Sequence, residues 1–203
     1  MDVVETTVEL AGRTLTIEHP PDAVELIDEA AFEREEFLPY WAELWPSGVA
    51  LAQVIAARPS RGEAVLELGC GLALPSIVAA LGGARVLATD WSPDALVFAR
   101  RNAERNGAEL ETALVAWADA GELAQRGPWQ LVLAADVLYE RRNVDPLLSL
   151  LPRLGSEALL ADPGRPALPA FLAGARTRWH VTETPTAELP RGGVFRLLSR
   201  QYA

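Results

Sequence analysis

Val65-Leu66-Glu67-Leu68-Gly69-Cys70-Gly71-Leu72-Ala73-Leu74-Pro75 has the pattern of a buried strand, a glycine turn and the start of a helix. That order brings backbone N–H groups against a nucleotide-like ligand at the carboxyl end of a strand. A dinucleotide fold wants Gly-x-Gly-x-x-Gly, but Leu74 stands in the third position and is too large for the close helix–strand packing that glycine serves. A nicotinamide-dependent oxidoreductase is therefore disfavoured. Glu67, two residues before Gly69, makes Glu-x-Gly-x-Gly, and Asp90 closes the next strand about twenty residues on, where a carboxylate accepts both hydroxyls of a ribose. The combination suits an S-adenosylmethionine site. The bland role for Glu67 is to brace the loop or the helix start, whereas the end of a central strand is an expensive place for an unpaired Asp90.

Around this unit, short β-branched or Leu-rich runs alternate with helical stretches, as in a parallel sheet covered on both faces. Strands are expected at Ala64–Leu68, Arg85–Thr89, Glu111–Ala116, Leu131–Ala135 and Ala158–Ala161. Ser92, Pro93 and Asn106-Gly107 supply the cap, first turn and stop of a helix over Pro93–Asn106. Further helices are expected over Gly48–Ala57, Pro75–Leu81, Val144–Leu154 and Ala167–Ala175. Trp179–Thr184 and Val194–Ser199 leave no room for a helix between them and should form a C-terminal antiparallel hairpin. At the other end, Val3–Leu10 and Arg13–Glu18 alternate around Ala11-Gly12 as a hairpin would. Val24, Ile27, Ala31 and Phe32 then recur with helical spacing among acids, giving a surface helix within Pro21–Phe37 that Pro39 stops.

A chain of 203 residues, 50% hydrophobic and 23% charged, suits one domain: residues 1–45 as an acidic N-terminal extension, residues 46–203 as the core. Apolar runs are far shorter than the roughly 20 residues of a membrane span, so a soluble, cytoplasmic protein without membrane partners is expected. The single cysteine, Cys70, excludes an internal disulfide, and two distant histidines, His19 and His180, supply no metal cluster. The net charge is −10, and residues 1–43, with twelve acids and two arginines, carry all of it. Such a balance speaks against nucleic acid as a partner. All 18 basic residues are arginine.

From about Pro39 onward the sequence resembles the class I, seven-strand S-adenosylmethionine-dependent methyltransferases. Within them it is similar to the protein-lysine methyltransferase branch that includes the electron-transfer-flavoprotein β-subunit lysine methyltransferase and its bacterial relatives. The likeness rests on Pro39–Gly48, Glu67–Ser76 with Asp90, Asp136-Val137-Leu138-Tyr139, and Asp162-Pro163-Gly164-Arg165. It departs at Ala73, where many members have a third glycine, which should narrow the turn without abolishing binding.

The resemblance implies an α/β, Rossmann-like, seven-stranded and mostly parallel sheet with S-adenosylmethionine as cofactor. It implies that Gly69 and Gly71 approach the methionine part, Asp90 holds the ribose, and Trp91 and Trp117 face the adenine. Trp45 would fold over the cofactor or its methyl group. Asp136 and Tyr139 follow a strand at the edge where open α/β sheets bind ligands. Asp136 would hold the acceptor amine, with Tyr139 and Trp45 as channel walls. Against these stand plainer roles: tryptophans as fillers, Trp41 and Trp45 as pins for the N-terminal segment, and Asp136 as a helix cap. Arg165 is a candidate for substrate binding. The expected activity is N-methylation of a lysine on a protein; a nicotinamide-like amine as acceptor and a non-catalytic scaffold are the alternatives.

Overall fold

The computed structural model describes residues 2–10, 12–22, 39–117 and 120–200. In chain order they form β1 (Val4–Leu10), β2 (Arg13–His19), α1 (Pro46–Ala56), β3 (Ala64–Leu68), α2 (Leu74–Leu81), β4 (Arg85–Asp90), α3 (Pro93–Arg105) and β5 (Glu111–Leu114). There follow α4 (Gly121–Arg126), β6 (Leu131–Ala135), α5 (Val144–Leu154), β7 (Glu157–Asp162), α6 (Leu168–Ala175), β8 (Trp179–Thr184) and β9 (Gly193–Ser199). Seven strands make one sheet in the order β5-β4-β3-β6-β7-β9-β8. The pairs from β5 to β7 are parallel, and β9 runs antiparallel to both its neighbours.

The period of two in each strand sorts the core into layers. Leu66 and Leu68 of β3, with Val132 and Ala134 of β6, pack with Leu123, Leu147, Leu151 and Phe171 of α4, α5 and α6. Val65, Leu131 and Leu133 point the other way, onto Leu51, Ile55 and Ala79 of α1 and α2. A large apolar side chain buried in this way contributes about 1.5–3 kcal/mol. Glu67 shares the Val65 face, which aims a carboxylate at the first turn of α2.

Strand ends differ from the expected ones by a residue or two. β5 stops at Leu114, although Val115 N–H still bonds the Asp90 carbonyl at 2.9 Å. α1 starts at Pro46 rather than Gly48, because proline fits the first helical position, where its missing N–H has no partner to lose. Ser92 caps α3, its Oγ accepting from Ala95 N–H. The helix expected within Pro21–Phe37 falls almost wholly outside the described residues.

β1 and β2 form a separate hairpin held against α3. Asn102 Oδ1 accepts from Glu18 N–H (2.7 Å) and its amide donates to Glu18 C=O (3.0 Å). One turn later Asn106 repeats the pattern on Thr16, at 3.0 and 2.8 Å. Two side-chain amides thus complete the open edge of β2, which would otherwise present unpaired backbone groups.

Candidate active site

In the sheet order, β4 lies on one side of β3 and β6 on the other, so the chain leaves these central strands in opposite directions and a crevice opens beyond their carboxyl ends. The cleft there encloses about 870 Å³, its open mouth included. Tyr40, Trp45, Gly69, Gly71, Asp90, Trp91, Trp117, Asp136, Tyr139 and Arg165 all line it.

The glycine turn approaches its surroundings closely. A Cβ on Gly71, at φ +50°, would sit 3.3 Å from the Trp41 carbonyl oxygen, and one on Gly69 would sit 3.4 Å from Val137 Cγ1 and 3.8 Å from Trp117 Cζ2. Ala73 takes φ +63° where the resemblance led us to expect a narrowed turn. The turn keeps the left-handed geometry of a glycine, at a cost of about 1–2 kcal/mol for an alanine.

Asp90 is 5% exposed. Its Oδ2 accepts from Gly71 N–H and its Oδ1 from Ser92 N–H, both at 2.9 Å. Burial raises its carboxyl above the ordinary aspartate value, and these N–H bonds oppose the rise. The carboxylate of Glu67 is turned onto α2: Oε2 accepts from Ser76 N–H at 3.0 Å and from the Ser76 hydroxyl. Burial pushes Glu67 up to about 8 despite those bonds. Glu67 therefore braces the helix start while also lining the cleft. Burial likewise raises the Cys70 thiol, so it is no nucleophile.

The aromatic residues divide. Trp91 is 43% exposed at the cleft, which makes it no core filler. Trp117 is half-buried between the core and the Gly69 turn. Trp41 packs on Phe98 at 5.4 Å between ring centroids and pins the N-terminal segment. Trp45 donates from Nε1 to the Tyr40 carbonyl at 2.7 Å. Tyr40 in turn lies 5.0 Å from the Tyr139 ring. Burial, with Glu140 and Asp90 adding to it, pushes the Tyr139 phenol to about 12.

Asp136 adopts φ +55°, a strained backbone for a non-glycine residue. Rather than standing free for a ligand, its carboxylate is engaged by Arg165. Nε donates to Oδ1 at 2.8 Å and Nη2 to Oδ2 at 3.2 Å, with Ser47 Oγ on Oδ2 at 3.4 Å. The guanidinium also lies 5.6 Å above the Trp45 ring. Asp162 holds the turn that carries Arg165, its Oδ1 accepting from Gly164 N–H (2.8 Å) and Arg165 N–H (2.7 Å). Sequence reasoning missed Ser47, the Tyr40 stack and the pairing of Arg165 with Asp136. A signal existed for the last, since neighbouring parallel strands β6 and β7 place the residues just beyond their ends side by side; Ala135 pairs with Ala161.

A family model described as lysine methyltransferase matches residues 37–160. The chain is 38% identical over 134 residues to the electron transfer flavoprotein beta subunit lysine methyltransferase of Xenopus laevis, covering 63% of this chain and 53% of that protein. It is 32% identical over 114 residues to the histone-arginine methyltransferase METTL23 of Homo sapiens, covering 53% and 60%. The chain thus spans about half the length of the first of these curated relatives. Among solved structures, the T. thermophilus 16S rRNA methyltransferase RsmC in complex with AdoMet and guanosine superposes with a TM-score of 0.70 at 14% identity, over 98% of this chain and 51% of that one. That likeness is one of fold.

Proposed function

The chain belongs to the lysine methyltransferase family, and on that premise we propose that it transfers a methyl group from S-adenosylmethionine to the side-chain nitrogen of a lysine on a protein. One observation carries the reading: the glycine turn with Asp90, and Trp45, Asp136 and Tyr139, line a single cleft although they come from distant parts of the chain. The residues present fit the cofactor. Gly69 and Gly71 leave space that a Cβ would fill, Asp90 is a carboxylate at the end of β4 suited to ribose hydroxyls, and Trp91 and Trp117 offer aromatic faces for adenine. When bound, S-adenosylmethionine supplies an electrophilic sulfonium methyl, and the N–C bond forms as the S–C bond breaks.

The rest is the protein's work. An amine must be held in line with that carbon at about 3 Å, and water kept out. Asp136 accepts a hydrogen bond from it, and Tyr139, Tyr40 and Trp45, which line the same cleft, are its walls. Tyr139 stays a neutral phenol at any working pH, since its titration lies near 12, and it serves as a hydrogen-bonding wall rather than a base.

Incubation with methyl-labelled cofactor and a lysate of the same organism, followed by mass spectrometry, tests the reading. The β subunit of electron transfer flavoprotein is the first purified acceptor to try, because relatives are named for it. Label on a protein lysine supports the proposal; label only on small amines, or none, overturns it. Asp136→Ala should cut transfer by two orders of magnitude or more, about 2.7 kcal/mol in barrier, while S-adenosylhomocysteine affinity stays within a few-fold.

A further inference from the structure

An acceptor lysine poses an electrostatic problem for this cleft. With an ordinary pKa near 10.4, its amine is a free base in only about one molecule in a few thousand at neutral pH. A lone carboxylate beside it would stabilise the ammonium and worsen that fraction. In this structure the carboxylate is not alone. Arg165 meets both Asp136 oxygens in a bidentate pair, and Asp136 is almost wholly buried while the guanidinium is one-third exposed on its cleft side.

We propose that Arg165 is a positioning residue for methyl transfer: it pairs with the charge of Asp136, so the amine docks against a neutral ion pair rather than a lone carboxylate and arrives as the free base. This rests on the methyltransferase reading above.

Other ionisable groups face the pair from the surrounding elements. On the segment before α1, Tyr40 stacks on Tyr139 and Glu43 lies exposed at the rim. From β3, Glu67 titrates near 8 and is protonated at neutral pH. From β4, the Asp90 carboxylate is turned to the N–H groups of Gly71 and Ser92. Beyond β6, Tyr139 is a neutral phenol and Glu140 is paired with Arg142. Beyond β7, the Asp162 carboxylate holds the Gly164 and Arg165 backbone N–H groups. Of these carboxylates, Asp136 is the one that the Arg165 side chain meets at contact distance. The Arg165 guanidinium also lies over the Trp45 ring, 5.6 Å from its centroid. An acceptor position on Asp136 remains open to a neutral amine at Oδ1, where Arg165 Nε is the one side-chain donor, whereas Oδ2 holds both Arg165 Nη2 and Ser47 Oγ and a carboxylate oxygen accepts two.

Paired cofactor forms read the charge directly without any acceptor, since S-adenosylmethionine carries a sulfonium cation that S-adenosylhomocysteine lacks. Calorimetry of both ligands should show Arg165→Met shifting preference toward the cation by about threefold to tenfold, Asp136→Asn shifting it away by a similar factor, and Arg165→Lys staying near the parent. In protein saturated with S-adenosylhomocysteine, NMR-detected binding of n-butylamine should strengthen from pH 7 to pH 10 in the parent. In Arg165→Met it should be stronger at pH 7 and nearly flat. An unchanged ligand ratio in both charge variants, the same pH trend in parent and Arg165→Met, or no amine binding by the parent overturns the inference and leaves the family reading standing. Failure of the parent to bind either cofactor form overturns both.

Discussion

Glu67 is 1% exposed beneath the glycine turn, and burial lifts its carboxyl from 4.5 to about 8. Between those two values the folded protein keeps a proton that the unfolded chain has released. The contribution to stability is therefore complete below about pH 4.5 and is lost as pH rises toward 8, by up to about 1.4 kcal/mol per unit. Glu67→Gln cannot titrate, so its stability relative to the parent should improve steadily from about pH 5 to about pH 8 in urea unfolding. A constant difference would show that Glu67 is ionised in the folded protein. The sequence marked this carboxylate through its place before Gly69, but both a ligand contact and a brace were open. Only the bonds to Ser76 assign it to the helix.

At the scale of elements, the hairpin of β1 and β2 depends on α3 through amides that mimic a neighbouring strand. Asn102 is fully buried, and it also donates to the Leu72 carbonyl at 3.3 Å, which ties the hairpin to the glycine turn. Asn102→Ala strands a buried N–H and two carbonyls and should cost about 2–3 kcal/mol, whereas Asn106→Ala, at a partly exposed place, should cost about 1 kcal/mol. Chemical denaturation of the two variants measures the order, and equal losses would mean that the ladder on Glu18 carries nothing special. Periodicity located β1, β2 and α3 separately. It could not reveal their docking, because Asn102 and Asn106 are four residues apart on any α3, packed or not.

For the molecule as a whole, the acidity of residues 1–43 suggests a field that speeds capture of a basic, lysine-bearing surface. The described part of that segment is not all free. Glu18 bridges Arg101 and Arg105, and Glu5 reaches Arg105 at 3.0 Å. Glu29, Glu33, Glu35 and Glu36 lie outside the described residues and are the ones to change. Replacing these four with glutamine should lower kcat/KM for the protein acceptor at low salt, with the gap closing as the Debye length falls below about 8 Å. Cofactor affinity should not move. An unaltered salt dependence would reduce the acidic segment to a solvated surface.

The α/β architecture, the glycine turn with Asp90 and the C-terminal hairpin followed from the sequence because each rests on a local pattern. Alternation of strand and helix, left-handed glycines and strands too close for a helix between them are properties of neighbours along the chain. The tertiary structure alone decided that Asp136 is bound to Arg165, that Trp45 and Ser47 flank that pair, and that Trp41, at the cleft, packs its ring on Phe98. Those contacts join residues tens of positions apart, and they exist because the sheet order sets β6 beside β7 and α1 packs against both strands. Charge pairing across such a junction follows register and side-chain reach, which no window of sequence contains.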